Sequence, residues 1–144
     1  MTVNQPIYVG LLGAGTVGSG VIKILTDNAY NIENKVGAPV RVKKILVRNP
    51  AKVRNADFDT GLIVTNIDDV LNDDDISIVV EVMGGEQPAK DYMMRALEAG
   101  KHVVTANKDV VARYGRDLFV LAEKNHVDFL FEGSVGGGIP IIRP

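Results

Sequence analysis

The segment from residue 7 to residue 25 constrains the fold of this 144-residue chain more than any other. An apolar run at Ile7–Leu12 (IYVGLL) leads directly into GAGTVG, where Gly13, Gly15 and Gly18 follow the pattern G-x-G-x-x-G. Apolar residues at helical spacing come next. The residues predicted to share one apolar face of that helix are Val17, Val21, Ile24 and Leu25. A strand, a glycine turn and a helix in this order indicate an α/β protein.

The glycine turn has a specific use in such proteins. The first glycine permits a tight turn, the second lets the backbone approach a pyrophosphate, and the third lets the helix pack closely against the strand. The helix N-terminus then presents free amides to the anion. Within this context the loop predicts binding of a nicotinamide dinucleotide rather than an ordinary turn. The predicted contacts are Gly13, Ala14, Gly15, Thr16, Val17 and Gly18.

Strand-like and helical patterns continue to alternate along the chain. Further strands are predicted at 40–47, 62–64, 76–82, from 103 onward and at 127–131, with helices at 88–100 and 107–124. We expect strand 40–47 at the surface end of the sheet, and the polar segment 30–39 to be irregular. The alternation predicts a Rossmann-type, doubly wound, mostly parallel sheet with helices on both faces, forming one dinucleotide-binding domain over residues 1–144.

Composition excludes several classes of protein. The chain has 16 Lys and Arg against 18 Asp and Glu, so its charge of −2 does not favour nucleic acid or an anionic membrane as a partner. It contains no cysteine, which removes disulfides, thiolate metal clusters and a cysteine nucleophile. The polar first residues do not resemble a signal peptide, and no apolar run reaches the length of a membrane span. These features favour a cytoplasmic protein with a small-molecule or protein partner.

The end of the second strand bears on the choice between NAD and NADP. NAD-preferring domains usually place an Asp or Glu there to bind the ribose hydroxyls. Here the strand ends in Val47-Arg48-Asn49, and Arg48, with Lys52 and Arg54 nearby, could pair with a 2′-phosphate. NADP or dual use is therefore favoured, and the alternative is an ordinary solvated arginine.

Three later segments resemble homoserine dehydrogenase: EVMGGE at 81–86, AGKHVVTANK at 99–108 and FEGSVGGGIPII at 131–142. The resemblance implies a homo-oligomeric parent enzyme that interconverts L-homoserine and aspartate 4-semialdehyde by hydride transfer with NAD(P), on the route to threonine, isoleucine and methionine. The family's catalytic domain would follow the GGGIPII segment. We therefore expect residues 1–144 to bind the cofactor without turning over the substrate.

The resemblance also assigns site residues. Ligands of open α/β sheets bind beyond the carboxyl ends of the strands, where Gly84, Gly85, Thr105 and Lys108 are expected to contact the cofactor. Lys108 matches the lysine of the family's TANK segment, which lies near nicotinamide and substrate, so it could orient the substrate or relay a proton. The alternative is a solvated lysine whose stem packs on the strand end.

The last glycine-rich segment corresponds to a monovalent cation site in the family, usually for sodium. The ligands carried over are Glu132 and the carbonyl oxygens of Val135, Gly137 and Ile139. Oxygen donors of this kind suit a hard cation. The alternative is a glycine-rich hinge with a solvated Glu132.

Other readings stay open or carry little weight. A non-catalytic dinucleotide sensor would share the glycine loop but would need neither TANK nor EGSVGGGIPII. Aspartate dehydrogenase and dihydrodipicolinate reductase would share a similar first half. His102 and His126 are isolated and favour structural roles over zinc ligation, and the acidic run 73–75 is typical of a solvated turn.

Overall fold

A computed structural model describes residues 4–52 and 57–134 of the chain. The strands are β1 Ile7–Leu12, β2 Val40–Leu46, β3 Ile63–Val64, β4 Ile76–Glu81, β5 His102–Thr105 and β6 Phe129–Leu130. The α-helices are α1 Thr16–Asp27, α2 Ala29–Val36, α3 Asp68–Leu71, α4 Ala89–Glu98 and α5 Lys108–Lys124. Short 3₁₀ turns lie at Pro50–Lys52, Thr60–Leu62 and Glu132–Ser134. None of the helices within these two ranges has the length and apolar character needed to cross a membrane.

The strands form one six-stranded sheet in the order β3-β2-β1-β4-β5-β6, and every pair is parallel. The chain moves outward from β1 to β3 and then returns to place β4 on the other side of β1. The strand order therefore reverses between β1 and β4, which is the place where doubly wound sheets bind ligands. The predicted Rossmann-type fold is confirmed.

Apolar residues cover both faces of the sheet. The larger cluster lies under α3, α4 and α5 and includes Leu12, Val79, Met93, Val103 and Leu118. The smaller cluster lies under α1 and consists of Leu11, Ile22, Ile45 and Val47 with partly buried neighbours. Helices on both faces leave the carboxyl ends of the strands as the open edge of the sheet.

Strands and helices in the second half follow the predicted pattern closely. β4 (ISIVVE) packs on both faces, as its apolar composition indicates, because Val79 belongs to the larger cluster and Val80 packs against the smaller one. α5 begins after Asn107, whose side-chain oxygen accepts a hydrogen bond from the Val110 amide at 3.2 Å, so the predicted N-cap is confirmed. α5 ends at Lys124, also as predicted.

Four features of the first half were predicted wrongly or missed. Segment 30–39 is not irregular, because α2 occupies most of it and ends at Gly37, which adopts a left-handed φ of 85°. The helix was missed because it is short and rich in polar residues, and none of its residues is buried. The short helix α3 was not predicted either, since only Val70 and Leu71 mark it by burial.

The third and fourth errors concern which face of α1 is inward and where β2 lies. Val17 and Ile24 are more than half exposed, whereas Gly18 and Ile22 are buried. The close approach at Gly18 rotates the helix toward that residue, and the apolar spacing alone could not indicate this rotation. β2 is an interior strand because β3 pairs with it and forms the edge.

Candidate cofactor-binding site

A groove opens at the carboxyl ends of β1, β2 and β4, where the strand order reverses. Its deeper part has a volume of about 430 Å³ and is lined by Gly13, Gly15, Leu46, Val47, Arg48, Thr65, Val82, Met83, Gly84, Gln87, Pro88 and Tyr92. A second hollow of about 530 Å³ is lined by Ala14, Gly15, Val47, Arg48, Asn49 and Lys52. The two hollows share Gly15, Val47 and Arg48, so they adjoin and form one elongated groove.

The glycine loop forms one wall of this groove. Glycine is favoured at each of its three positions for a different physical reason. Gly13 has a φ of 106° and its amide donates to the Leu46 carbonyl at 3.0 Å, which requires a residue that tolerates positive φ. A Cβ at Gly18 would overlap the Gly13 carbonyl oxygen. Nothing lies within 4 Å of the corresponding position at Gly15, so this glycine leaves space open beside the backbone.

The first turn of α1 points into this space. Gly15 is the N-cap and offers no side-chain acceptor, and the first turn contains no acidic residue. The first amides of a helix have no partner within the helix. Thr16 and Val17 are exposed there, as a pyrophosphate-binding turn requires.

Positive charge lies at the β2 end of the groove. Arg48 follows β2, is exposed and lines both hollows. The Asn49 side chain accepts a hydrogen bond from the Ala51 amide at 3.0 Å, and this turn brings Lys52 to the same hollow. Across residues 4–52 and 57–134, neither Arg48 nor Lys52 forms an ion pair, so both cations can meet an anionic ligand. Arg54 lies outside the described residues.

The opposite wall is the β4–α4 loop, residues 82–88, which contains the predicted contacts Gly84 and Gly85. Both glycines have a φ of 74°. Gly84 lines the groove, whereas the Gly85 carbonyl accepts a hydrogen bond from the Asn107 side chain at 2.6 Å. The two glycines therefore face different neighbours although they are adjacent.

Thr105 lies behind this wall rather than in it. The residue is 2% exposed, and its hydroxyl donates to a carboxylate oxygen of Glu81 at 2.6 Å. The same hydroxyl oxygen accepts a hydrogen bond from the Asn107 amide at 3.0 Å. Glu81 is itself fully buried, and sequence analysis missed it because it stands at the end of a strand with an uninterrupted apolar pattern.

Lys108 is the first residue of α5, directly after the Asn107 cap. It is exposed and does not line either hollow of the groove. Its neighbour Asn107 holds the Gly85 carbonyl, so the backbone of Lys108 lies beside the β4–α4 loop at the same edge of the sheet. The structure therefore leaves the Lys108 side chain exposed and outside both hollows.

The predicted cation site is described only at its first residue. Glu132 lies in the turn Glu132–Ser134. A Cβ atom built on Gly133 would lie 3.7 Å from the Ala106 Cβ, so this turn packs against Ala106. This places the turn beside the carboxyl end of β5. Val135, Gly137 and Ile139 lie outside the described residues, so the sodium site stays a prediction. In the part of the chain that the structure describes, no three His, Asp or Glu side chains are grouped closely enough to hold a metal ion.

Comparisons with known proteins agree with this geometry. A family model described as the NAD-binding domain of homoserine dehydrogenase matches residues 13–132. The chain is 49% identical to the homoserine dehydrogenase of Bacillus subtilis over 139 residues, which cover 96% of this chain and 32% of that protein. It is 42% identical to the enzyme of the same name from Synechocystis, covering 96% of the chain and 31% of that enzyme. The chain thus spans about a third of the length of these curated relatives.

Solved structures give the same result. A homoserine dehydrogenase from Thiobacillus denitrificans superposes with a TM-score of 0.89 at 47% identity, over 95% of this chain and 32% of that one. A hyperthermophilic archaeal homoserine dehydrogenase in complex with NADPH superposes with a TM-score of 0.77 over 95% of this chain and 47% of that one. At 23% identity, the archaeal likeness concerns the fold alone.

Proposed function

The chain belongs to the family of homoserine dehydrogenase NAD-binding domains, and from this membership we propose the reaction that it serves. The whole enzyme interconverts L-homoserine and L-aspartate 4-semialdehyde. In the oxidative direction the alcohol carbon loses a hydride to the cofactor and the alcohol oxygen loses a proton to a base. The product is the aldehyde, an intermediate for threonine, isoleucine and methionine.

One observation carries this proposal: the groove at the reversal of strand order is bounded by a glycine loop on one side and by Gly84 on the other. When bound there, a nicotinamide dinucleotide supplies the hydride acceptor for the alcohol and the hydride donor for the aldehyde. The Gly15 backbone and the first amides of α1 would hold the pyrophosphate, while Gly13 and Gly18 shape the turn and the helix packing behind it. Gly84 borders the opposite, nicotinamide end of the groove.

Arg48 is proposed to select the cofactor. Its guanidinium is free to bind a 2′-phosphate with two parallel hydrogen bonds, and Lys52 adds positive charge on the same side. No carboxylate stands at the end of β2 to repel that phosphate. We expect NADP to be preferred, with NAD as a weaker ligand.

Lys108 is proposed as the catalytic residue of this chain. It lies at the N-terminus of α5, where the helix dipole disfavours a cation unless an anion or a developing oxyanion is close. A substrate oxygen bound over the nicotinamide end would supply that negative charge. Lys108 would then orient the substrate or relay the proton that accompanies hydride transfer.

The remaining expectations depend on the family resemblance. We infer a homo-oligomeric parent enzyme that acts on small molecules in the cytoplasm, and a sodium ion bound by Glu132 with the carbonyls of Val135, Gly137 and Ile139. The charge of −2 supports the absence of a polyanionic partner. Residues 1–144 alone are expected to bind cofactor without oxidising homoserine, because substrate positioning requires more than Lys108.

A chimera tests the reaction directly. This chain would replace the matching third of the Bacillus subtilis enzyme, to which it is 49% identical. The chimera should reduce NADP⁺ in the presence of homoserine and should do so faster than with NAD⁺. A chimera that folds and binds NADP⁺ but never turns over homoserine would contradict the proposed function. The non-catalytic sensor reading predicts that outcome.

A further inference from the structure

The buried carboxylate of Glu81 is not used by the proposed chemistry. Glu81 ends β4 and is 0% exposed. One carboxylate oxygen accepts a hydrogen bond from the Met83 amide at 2.8 Å, and the other accepts the Thr105 hydroxyl at 2.6 Å. Among the described residues no cation pairs with it. Burial of a carboxylate is costly without compensation, so these two hydrogen bonds must be well formed in the folded chain.

The hydrogen bonds continue from Thr105 back to the β4–α4 loop. The Thr105 hydroxyl oxygen accepts from the Asn107 amide at 3.0 Å, and the Asn107 side chain donates to the Gly85 carbonyl at 2.6 Å. The same side chain caps α5 through the Val110 amide. The network begun at Glu81 therefore joins the loop to the first turn of α5.

A separate contact holds the far side of the loop. Glu86 accepts hydrogen bonds from the Arg113 guanidinium at 2.8 Å and from the Tyr114 hydroxyl at 2.6 Å, both on α5. The loop is thus fixed at Met83, Gly85 and Glu86. Gly84 lies between these points, lines the groove and has nothing within 4 Å of its Cβ position.

We propose that Glu81 is a positioning residue for the nicotinamide half of the cofactor groove. It fixes the backbone on both sides of Gly84, and through Thr105 and Asn107 it fixes the turn that carries Lys108. This inference rests on the proposed function, because it assigns the Gly84 end of the groove to the nicotinamide. It separates the groove into a half at Gly84 that depends on Glu81 and a half at Gly15 and Arg48 that does not, with the contact between Gly13 and the Met83 backbone at their boundary.

Two ligands distinguish the halves. NADP⁺ occupies the whole groove, whereas 2′-phospho-ADP-ribose has the same adenosine and pyrophosphate but no nicotinamide. In calorimetric titrations, Glu81→Gln should weaken NADP⁺ binding about tenfold, the loss typical of one buried hydrogen bond to a charged group. Binding of 2′-phospho-ADP-ribose should be unchanged. Equal losses for both ligands, or no loss for either, would overturn the proposal.

A matched pair at Thr105 covers the case in which Glu81→Gln does not fold. Thr105→Val removes the hydroxyl at nearly constant shape and should reproduce the selective loss of NADP⁺ affinity. Thr105→Ser keeps the hydroxyl and should bind both ligands like the wild type. A purely structural role of the hydroxyl would instead lower stability in Thr105→Val without changing the ratio of the two affinities.

One measurement needs no substitution. In the wild-type chain the Met83 amide should be strongly protected from hydrogen exchange, because it donates to a buried carboxylate. Exchange at the rate of an unstructured peptide would overturn the positioning role. If the wild-type chain binds neither ligand, the proposed function fails with this inference. If it binds both and no variant is selective, only this inference fails.

Discussion

The two walls of the groove are built in opposite ways. The glycine loop at 13–18 takes its shape from missing side chains, since a Cβ at Gly18 would overlap the Gly13 carbonyl oxygen. The β4–α4 loop at 82–88 takes its shape from side chains outside the groove, which hold it at Met83, Gly85 and Glu86. The first wall depends on close backbone contacts, including the hydrogen bond from the Gly13 amide to the Leu46 carbonyl, and the second depends on side chains up to 28 positions away.

The contrast between the glycine loop and the β4–α4 loop is tested most strongly at Lys108, which begins α5 beside the second of these loops. In the chimera with the Bacillus subtilis enzyme, Lys108→Ala should lower turnover by at least about 100-fold, the scale of a lost proton-transfer group. The fold should survive because Lys108 is exposed. Lys124→Ala, at the other end of the same helix, removes the same charge and should have no effect on steady-state kinetics. Near-wild-type turnover in Lys108→Ala would remove the catalytic role.

The glycine loop has the next largest expected effect. Gly18→Ala should destabilise the chain by about 3 kcal/mol or more, because the clash is with backbone that cannot yield easily. Gly20→Ala is the control, since it lies in the same helix with nothing within 4 Å and should raise stability by up to about 1 kcal/mol. Urea unfolding measures both. Equal stabilities would show that the third glycine is not required for packing.

Cofactor choice sharpens the comparison at the adenosine end. Arg48→Asp should weaken NADP⁺ binding by about tenfold or more and leave NAD⁺ binding nearly unchanged, because only NADP⁺ carries the phosphate that Arg48 meets. Arg41→Asp makes the same charge change at an exposed position near the start of β2 and serves as the control. Calorimetry with both cofactors would reject the assignment if Arg48→Asp weakened them equally.

The smallest effect is expected at Asp73, which precedes β4 and so lies at the end of the sheet away from the groove. Substitutions there show whether cofactor binding is independent of that end of the sheet. Burial alone would raise the pKa of Asp73, but hydrogen bonds from Lys43 and Lys44 outweigh this and lower its pKa to about 2. Its ionised form therefore stabilises the fold above its ordinary pKa, and that stabilisation is lost as the pH falls toward 2. Asp73→Asn should cost about 1–2 kcal/mol at neutral pH and nothing at the acid end.

Asp74→Asn is the matched control for Asp73, because Asp74 is exposed and forms no ion pair among the described residues. Urea unfolding between neutral and acid pH gives the two stability profiles. Binding of NADP⁺ and 2′-phospho-ADP-ribose at neutral pH should be the same in both variants. A changed affinity ratio in Asp73→Asn would show that the groove is coupled to that end of the sheet.

The same contrast explains what could be predicted from sequence. β1, the glycine loop and α5 were predicted because local spacing determines them: an apolar run, three glycines and an Asn cap. The fold class followed from the alternation of such elements. α2 was missed because its sequence has no buried face, and the inward face of α1 was wrong because close packing at Gly18 determines it.

Contacts between distant residues were out of reach for the same reason. Glu81 is fully buried, yet its partner Thr105 is 24 positions away and no local pattern marks the pair. Thr105 was expected to contact the cofactor. In the structure its hydroxyl donates a hydrogen bond to Glu81 and accepts one from the Asn107 amide. The sequence indicated the carboxyl ends of the strands, where the groove lies, but it could not distinguish residues that line the groove from residues buried behind it.

Amide chemical shifts test the division of the groove most directly. The isotope-labelled wild-type chain would be titrated with NADP⁺ and, separately, with 2′-phospho-ADP-ribose. Both ligands should shift the amides at 13–18 and that of Arg48, and only NADP⁺ should shift that of Gly84. Identical sets of shifted amides, or an NADP⁺ titration that leaves Gly84 unmoved, would contradict the assignment of the two walls.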